Sequence, residues 1–251
     1  MRKKMIIIFT VALSLISFSP VFSEEKKIEG EIKAAGVLTD INGSKAKFNE
    51  YRDLKDGIYG KINLKYDAEK YFLKFKASDI GYDTQNYKLE GGMWGKFKLY
   101  LKYNEIPHNF TYDAKTIFSG AGTNRLTTGA AFAIGTPSTY TPTNLFDYSL
   151  ERKQMEAGVK LEMLKPFYLD VSYQREERDG IKPTAVALTT GGGSYFIEMP
   201  EPVDYVTNNL KAELGYAKNP LFLSLTYFYS EFSNEYDRLF FKNPYNAQTF
   251  G

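Results

Sequence analysis

The 251-residue chain contains no cysteine and only one histidine, His108. Without cysteine it cannot form a disulfide, a lipoprotein anchor, a thiolate metal site or the covalent CxxCH attachment of a c-type haem. One histidine cannot supply a pair of axial haem ligands either. These absences exclude a chain that binds c-type haem, or a metal held by thiolates, on its own.

Long apolar runs are scarce as well, since the mean hydropathy is −0.38. The one clear run covers residues 5 to 16, after the basic residues 2–4 and before two glutamates at 24 and 25. This run is shorter than the ~20 residues that cross a bilayer as a helix. The pattern therefore predicts an export signal over residues 1–23, with a single membrane anchor as the alternative.

Neither sign of charge is in excess. The chain has 32 Lys and Arg against 30 Asp and Glu, and the predicted signal contains three of the basic residues and no acidic one, which leaves 29 against 30. A nearly neutral chain offers no electrostatic basis for binding nucleic acid. Nucleic acid is therefore not an expected partner.

Apolar and polar residues alternate in much of the remaining chain. Between residues 58 and 66, Ile62, Leu64 and Tyr66 fall on one side of an extended chain, and Lys61 and Lys65 fall on the other. A period of two residues is typical of a strand whose faces meet different surroundings. The pattern recurs, less regularly in the first segment, at 28–38, 71–78, 86–93, 97–104, 154–163, 167–174, 206–216 and 221–229. About nine strands are therefore predicted.

Connections between these strands alternate between short and long. The short ones lie at 67–70, 92–95, 164–166 and 217–220, and the longer ones at 39–57, 79–85, 105–149 and 176–204. Bacterial outer-membrane barrels have short periplasmic turns, long external loops and aromatic residues near strand ends. The aromatic residues near the predicted strand ends are Tyr66, Tyr71, Trp94, Tyr103 and Tyr216. The predicted fold class is all-β, a transmembrane antiparallel up-and-down β-barrel, with a soluble β-sandwich as the alternative.

The number of strands indicates that the chain is part of a larger barrel. Single-chain bacterial barrels have an even number of strands. Nine strands ~4.8 Å apart and tilted by ~40° would close at a diameter of about 18 Å, which side chains would largely fill. Residues 24–251 are therefore expected to be the N-terminal portion of an outer-membrane β-barrel, incomplete at about nine strands.

Two segments contain sequence motifs in addition to the alternation of apolar and polar residues. One covers residues 46–54, and the other covers residues 103–109 directly after a Lys-rich strand; the run Leu89-Glu90-Gly91-Gly92 lies between them. Together they resemble the MtrB/PioB family of outer-membrane barrels, most closely over about residues 30–125. The loop residues that carry the resemblance are Phe48, Glu50, Tyr51, Arg52, Glu105, Pro107 and His108.

The resemblance implies a non-enzymatic role in the cell outer membrane. Barrels of this family are associated with multihaem cytochromes, and the resemblance implies a sheath that holds a periplasmic multihaem c-type cytochrome inside the barrel. A second multihaem cytochrome at the outer surface is a further implied partner, as is outer-membrane lipid. The haem would belong to the partner, so no cofactor is expected in this chain. Some family members have a CxxC motif near the mature N-terminus, and its role does not transfer to this chain.

Eight lysines stand on polar positions between residues 58 and 103, where only Glu90 opposes them in the sequence pattern. They are Lys61, Lys65, Lys74, Lys76, Lys88, Lys96, Lys98 and Lys102. If the polar positions face the lumen, this basic wall is predicted to contact haem propionates or acidic patches of an inserted cytochrome. It would equally suit a passive or anion-favouring porin with an open lumen. An adhesin-like barrel that acts through its long loops is a further alternative.

The motif residues allow two interpretations, a metal or haem site and a structural contact between a loop and the barrel. Glu105 and His108 could pair at a metal, or His108 could bind a partner's haem, but a metal site needs three or more ligands and nothing nearby completes the set. The favoured interpretation is that Pro107 ends a strand and that its neighbours bond a loop to the barrel rim. Glu50 and Arg52, two residues apart, are predicted to form a loop-ordering ion pair.

Overall fold

A computed structural model describes residues 11–15, 26–128, 141–190 and 193–244. These residues form strands, connections and one helical turn, and they contain no helix with the length and apolar content to cross a membrane. The elements are β1 (Val11–Leu15), β2 (Lys26–Val37), α1 (Lys45–Phe48), β3 (Gly57–Ala68), β4 (Tyr71–Ile80), β5 (Asn86–Met93), β6 (Phe97–Thr116), β7 (Arg125–Leu126), β8 (Asn144–Leu161), β9 (Phe167–Thr190), β10 (Gly193–Lys218), β11 (Leu221–Asn234) and β12 (Phe240–Phe241).

Ten strands form one antiparallel sheet in chain order, β1 to β6 and then β8 to β11, while β7 and β12 form a separate parallel pair. The nine strands from β2 to β11 that belong to this sheet confirm the predicted all-β, up-and-down architecture. Among the described residues the sheet is open, because β1 and β11 each have one neighbour. β1 lies within residues 1–23, where the export signal stays a prediction.

The register of the strands separates two faces. Ile62 pairs with Ala77 and Leu64 pairs with Phe75, whereas Lys65 pairs with a lysine of β4. The same separation continues across the sheet, since Leu101 lies between Leu89 of β5 and Ala157 of β8. We call the side that contains Leu64, Leu101 and their partners the apolar face. The side that contains Lys65, Lys102 and their partners is the charged face.

Large side chains of the apolar face are exposed rather than packed in a core. Leu101 is 54% exposed, and Leu225 of β11 is 74% exposed. A protein surrounded by water rarely leaves a continuous apolar surface of this kind uncovered. Contact with lipid tails would stabilise this apolar face. In a membrane barrel only every second residue of a strand faces lipid, so one apolar face and one charged face are expected.

Aromatic residues mark both borders of the apolar face. Towards the short turns they are Tyr66, Tyr71, Phe97, Phe167 and Tyr216, and towards the long connections they are Tyr87, Tyr103, Tyr173 and Tyr229. The six residue steps from Phe97 to Tyr103 cover ~20 Å along the strand. Such paired belts are typical of the two interfaces of a membrane.

Trp94 is an exception to the predicted aromatic belt. It lies in the turn between β5 and β6, and its ring packs 4.3 Å from the ring of Phe72, with Lys74 beside both. Phe72 and Lys74 belong to the charged face. Trp94 therefore lies near a strand end, as predicted, but outside the belts of the apolar face, because a turn residue is not held to the alternation of the strands.

Two predicted long connections contain long strand segments. The prediction placed loops at 105–149 and 176–204, but β6 continues to Thr116 and β9 and β10 form a tall hairpin that reaches Thr190 and Gly193. Arg175 shows why the sequence pattern did not reveal these strand segments. It is the next residue after Tyr173 on the apolar side of β9, and it is charged. Beyond the lipid layer both faces meet water, so pairing continues while the apolar alternation stops. Residues 191 and 192 of the glycine run 191–193 lie outside the described residues, and Gly193 begins β10.

The remaining connections lie close to their predicted positions, but the one between β4 and β5 was predicted to be long and is no longer than the turn between β8 and β9. The long segment 38–56 contains α1, and the residues between β4 and β5 form a short hairpin loop at 81–85. At the same end of the sheet, Ile117, Phe118 and Leu126 pack with Met199 of the tall hairpin in a buried cluster. Partly buried residues of the segment after β11, Leu239 and Phe241, complete it. The long-connection end is thus packed rather than loose.

The two faces can be tested with spin labels on single cysteines, which the chain lacks otherwise. A label at Leu101→Cys is expected to be accessible to oxygen dissolved in lipid, and a label at Lys102→Cys to a water-soluble nickel complex. A label at Glu177→Cys, on the apolar side but beyond Tyr173, is expected to meet water because the strand has left the membrane there. Equal lipid accessibility at 101 and 102 would contradict the assigned faces, and lipid accessibility at 177 would contradict the extended hairpin.

Candidate functional site

Seven of the eight predicted lysines share the charged face. They are Lys61 and Lys65 of β3, Lys74 and Lys76 of β4, Lys88 of β5, and Lys98 and Lys102 of β6. The eighth, Lys96, lies in the turn before β6. Its predicted placement on a strand is therefore wrong, because β6 begins one residue later. Its contact with a partner stays a prediction.

Several of these lysines already have acidic partners. Lys65 Nζ lies 2.5 Å from Asp67, Lys88 and Lys98 share Glu90 at 2.7 and 3.1 Å, and Lys102 lies 3.1 Å from Glu156 of β8. The interpretation that only Glu90 opposes the lysines is therefore wrong. Asp67 was taken as part of a turn although β3 includes it, and Glu156 comes from a strand far along the chain.

Three lysines keep an uncompensated charge. Within the described part of the chain, Lys61, Lys74 and Lys76 form no ion pair, although Lys74 lies 5.5 Å from the centre of the Phe72 ring. Lys74 and Lys76 line a depression of about 350 Å³ on the charged face, together with Lys65 and the glutamates of β2. The net positive charge of the face is thus concentrated on β3 and β4.

Strands β8 to β10 carry a mixed network instead of a basic surface. Glu176 accepts hydrogen bonds from Arg152 and Gln154, both at 2.7 Å, and from Arg178 at 3.3 Å. Glu213 accepts from the Tyr168 hydroxyl at 2.8 Å. Sequence reasoning missed Arg152, Glu176 and Arg178 because they lie outside the segments in which apolar residues alternate.

A second feature is a clasp formed by the connection 38–56 on the edge of β6. β5 ends its pairing where Asn86 meets Asn104, so the edge of β6 lacks a strand neighbour beyond that point. The connection takes this place, since the backbone N–H of Asn109 donates to the Glu50 carbonyl at 2.8 Å. The Asn109 side chain donates to the Asn49 carbonyl at 2.7 Å. An unpaired strand edge is an aggregation hazard, and the clasp covers it.

Local bonds give the clasp its shape. Ser44 caps α1 by accepting the backbone N–H of Lys47 at 3.2 Å, as short hydroxyl side chains do at helix starts. The Asn49 side chain then accepts the backbone N–H of Leu54 at 3.1 Å and folds the chain back. Asn109 is 8% exposed and Asn49 is 6% exposed, so both amides form their bonds away from water.

Four of the family-motif residues make ring contacts within this clasp, and Glu105 bonds beside it. The Tyr51 ring stacks on His108 with centroids 4.4 Å apart, and the Arg52 guanidinium lies 5.3 Å from the centre of the Phe48 ring. Buried Glu105 accepts a hydrogen bond from Gln85 at 2.8 Å and another from the Tyr103 hydroxyl. The structure therefore agrees with the interpretation that these residues bond a loop to the rim.

Three details of that interpretation need correction. Pro107 does not end the strand, because β6 continues to Thr116; it stands beyond the end of β5, where a strand tolerates a residue without an N–H donor. Glu50 pairs with Lys47 at 2.5 Å and not with Arg52, because one helical turn brings residues three apart together. The amides of Asn49 and Asn109, which form the central bonds, were not predicted.

The geometry does not support the hypothesis that Glu105 and His108 bind one metal ion together. Residues three apart in a strand point to opposite faces, so the two side chains diverge. No group of three or more possible metal ligands occurs among the described residues. Their observed partners are Gln85 and Tyr103 for Glu105, and Tyr51 and Phe110 for His108.

Charged residues of the long-connection end also hold its loops together. Lys55 lies 2.7 Å from Asp53 and 3.4 Å from Asp83, and the hydrogen bond to Asp53 raises the pKa of Lys55. Burial, followed by the charge of Asp53, raises the pKa of Asp83. The backbone N–H and hydroxyl of Thr39 lower the pKa of Asp56.

An open antiparallel sheet with one lipid-facing side, one charged side and short turns at one end is the architecture of an outer-membrane β-barrel wall. Residues 40–251 match a family described as "Putative outer membrane beta-barrel porin, MtrB/PioB". The match covers most of the chain, so the chain belongs to this family and is an outer-membrane protein.

One similar protein is "Outer membrane protein MtrB" from Shewanella baltica strain OS185, which is 28% identical to this chain over 205 residues. The alignment covers 77% of this chain and 28% of that protein. The chain therefore spans little more than a quarter of the length of this relative.

The clasp can be tested by Asn109→Ala, which removes a buried side-chain donor and leaves a carbonyl of the clasp unpaired. The free energy of unfolding is expected to fall by about 1–3 kcal/mol, and protease cleavage within 38–56 is expected to become faster. Asn86→Ala is the matched control, since Asn86 donates to Asn104 at an exposed position of the sheet. Equal cleavage rates in the two variants would show that Asn109 does not hold the clasp.

Proposed function

We propose that this chain forms part of the wall of a barrel that sheathes a periplasmic multihaem c-type cytochrome and so completes an electron conduit across the outer membrane. The chain acts as a scaffold and not as an enzyme. The haem groups belong to the partner, and a second multihaem cytochrome at the outer surface would accept or supply electrons.

The first support for this proposal is the charged face itself. A sheet in hydrocarbon must close on itself, because an open edge leaves backbone N–H and C=O groups without partners. Once the sheet closes with its apolar face towards lipid, the charged face lines the interior. The interior wall is then polar, hydrogen-bonded and fit to surround a folded, water-soluble guest.

The observation that carries the proposal is the set of unpaired lysines on β3 and β4. Lys61 and Lys76 are exposed and, among the described residues, form no ion pair, whereas Lys65, Lys98 and Lys102 are neutralised by neighbours. A guest therefore meets local positive charge over these two strands. Haem propionates and acidic surface patches are complementary to it, and such complementarity fixes orientation and speeds association.

A barrel that encloses a cytochrome must have a wide enough internal diameter. Nine strands close at a diameter of about 18 Å, which cannot admit a folded cytochrome. A sheath needs roughly two to three times as many strands, a number that known barrels reach. The relative from Shewanella baltica is more than three times as long as the segment aligned with this chain, so a protein of that length has room for such a barrel.

An anion-favouring porin is the second candidate function, and the same lysines favour it. An open, water-filled lumen with uncompensated positive charge would enrich small anions and repel small cations. The two functions differ in what occupies the interior. A sheath retains a haem protein through purification, while a porin conducts ions and small solutes when it is reconstituted alone.

The discriminating variant is Lys61→Glu with Lys76→Glu in the full-length protein. The amount of co-purified, haem-staining protein is expected to fall roughly tenfold, the change that ~1.4 kcal/mol of lost attraction produces. Lys45→Glu with Lys115→Glu is the matched control, since both residues are exposed and lie at the long-connection end.

Unchanged haem retention in the Lys61 and Lys76 variant would count against the sheath. If the same variant, reconstituted in planar bilayers, also changed from anion to cation selectivity, the porin would be the better assignment. Folding of each variant is checked first by its heat-modifiable mobility in gels, which distinguishes a folded barrel from an unfolded one.

A further inference from the structure

The short turns of the sheet share a feature that the charged face does not explain. Each of the four contains or adjoins an exposed lysine: Lys70 between β3 and β4, Lys96 between β5 and β6, Lys165 between β8 and β9, and Lys218 between β10 and β11. In the described chain none of these four side chains forms an ion pair, although sixteen such pairs occur elsewhere. We call them the turn lysines.

Hydrogen bonds between neighbouring turns hold the turn lysines at one level. The Trp94 N–H donates to the Lys70 carbonyl at 3.0 Å, and the Glu162 N–H donates to the Lys96 carbonyl at 2.6 Å. The Ala217 N–H donates to the Pro166 carbonyl, next to Lys165, at 2.8 Å. The sheet ladder therefore continues through the turns, so the lysines stand on a fixed rim and not on independent loops.

Exposed apolar side chains lie immediately beside three of the four turn lysines. Leu164 precedes Lys165 and is 62% exposed, and Phe167 begins β9 two residues later. Tyr71 follows Lys70, and Lys218 continues the apolar face two residues after Tyr216. A long lysine stem can lie along such apolar surface while its ammonium group reaches the polar boundary of a membrane.

Charge is distributed differently at the two ends of the sheet. Among the short turns, Glu69 is the one carboxylate besides Glu162, and Glu162 already pairs with Lys160 at 2.7 Å. The long-connection end instead carries acidic residues that pair with lysines of their own loops, such as Asp53 with Lys55. At the short-turn end, unpaired positive charge therefore lies next to exposed apolar side chains.

We propose that the turn lysines bind the phosphate groups of anionic phospholipids in the periplasmic leaflet of the outer membrane. Short turns are periplasmic in outer-membrane barrels. A basic residue close to an anionic membrane surface contributes about 1 kcal/mol of attraction. Lipid is favoured over an acidic protein because the lysines are spread along the rim and three of them, Lys70, Lys165 and Lys218, adjoin exposed apolar side chains. The inference rests on the outer-membrane location of the family and does not depend on the conduit role.

The test uses the full-length protein in nanodiscs that contain equal amounts of phosphatidylglycerol and phosphatidylcholine. Lipids that remain bound after extraction into mild detergent are quantified by mass spectrometry. The native protein is expected to retain phosphatidylglycerol over phosphatidylcholine by about threefold or more, the ratio that ~0.65 kcal/mol produces. The variant with Lys70, Lys96, Lys165 and Lys218 all changed to Gln is expected to retain the two lipids equally.

A control variant with the exposed residues Lys33, Lys45, Lys115 and Arg238 changed to Gln removes the same charge elsewhere and is expected to keep the preference. Retained preference in the turn-lysine variant would overturn the proposal. So would equal competition by inorganic phosphate at the concentration of lipid headgroups, which would indicate a general anion site. Loss of a co-purified acidic protein with the lipid preference intact would assign the lysines to protein docking instead.

Haem retention is measured in the same preparations, so failure of the lipid site and failure of the sheath are separate results. If the fourfold variant does not show the heat-modifiable mobility of a folded barrel, the variant with Lys96 and Lys165 alone changed to Gln replaces it. Roughly half of the lipid preference, on a logarithmic scale, is then expected to disappear.

Discussion

The structure depends on one constraint: inside hydrocarbon, every backbone N–H and C=O must find a partner within the protein. The antiparallel ladder satisfies this constraint strand by strand, and it fixes which side chains meet lipid, because alternate residues of a strand point to opposite faces. Apolar residues therefore pair with apolar residues across β3 to β11, and charged residues pair with charged or polar ones. The exposed leucines and the ion pairs of the charged face are two consequences of the same ladder.

Outside the lipid layer water can bond the backbone groups, so the strands there are stabilised by other interactions. Beyond Tyr103 and Tyr173 water can satisfy the backbone, so β6 and β9 need not continue, yet both do. Their edges and ends are stabilised by different means: the clasp on β6, the Glu176 network across β8 and β9, and the cluster around Phe118. A wall that stands above the membrane in this way keeps its charged face continuous from the lipid region into the external space.

Much of this could be predicted from the sequence, and the failures share a physical cause. Nine strands and their faces were predictable because lipid requires apolar residues at every second position. The extensions of β6 and β9 were not, because in water either face may be polar and the period disappears. The motif residues identified the clasp, but its central bonds come from Asn109 and Asn49 to backbone groups, and a side-chain-to-backbone bond leaves no periodic signal. The Glu50 and Arg52 pair failed because α1 brings Lys47 closer.

The pairing of charges also limits what the interior can do. Most carboxylates of the charged face are already bound to a lysine or arginine, so the attraction that remains comes from a few lysines on β3 and β4. At physiological ionic strength an exposed charge is screened within ~8 Å, and a solute at the centre of a wide, water-filled barrel would hardly experience these lysines. They become effective only towards a surface that approaches the wall closely. Anions that pass through a narrow pore come close enough to the wall, and so does a protein that fills the barrel. In a barrel wide enough to enclose a cytochrome, only the enclosed protein comes that close.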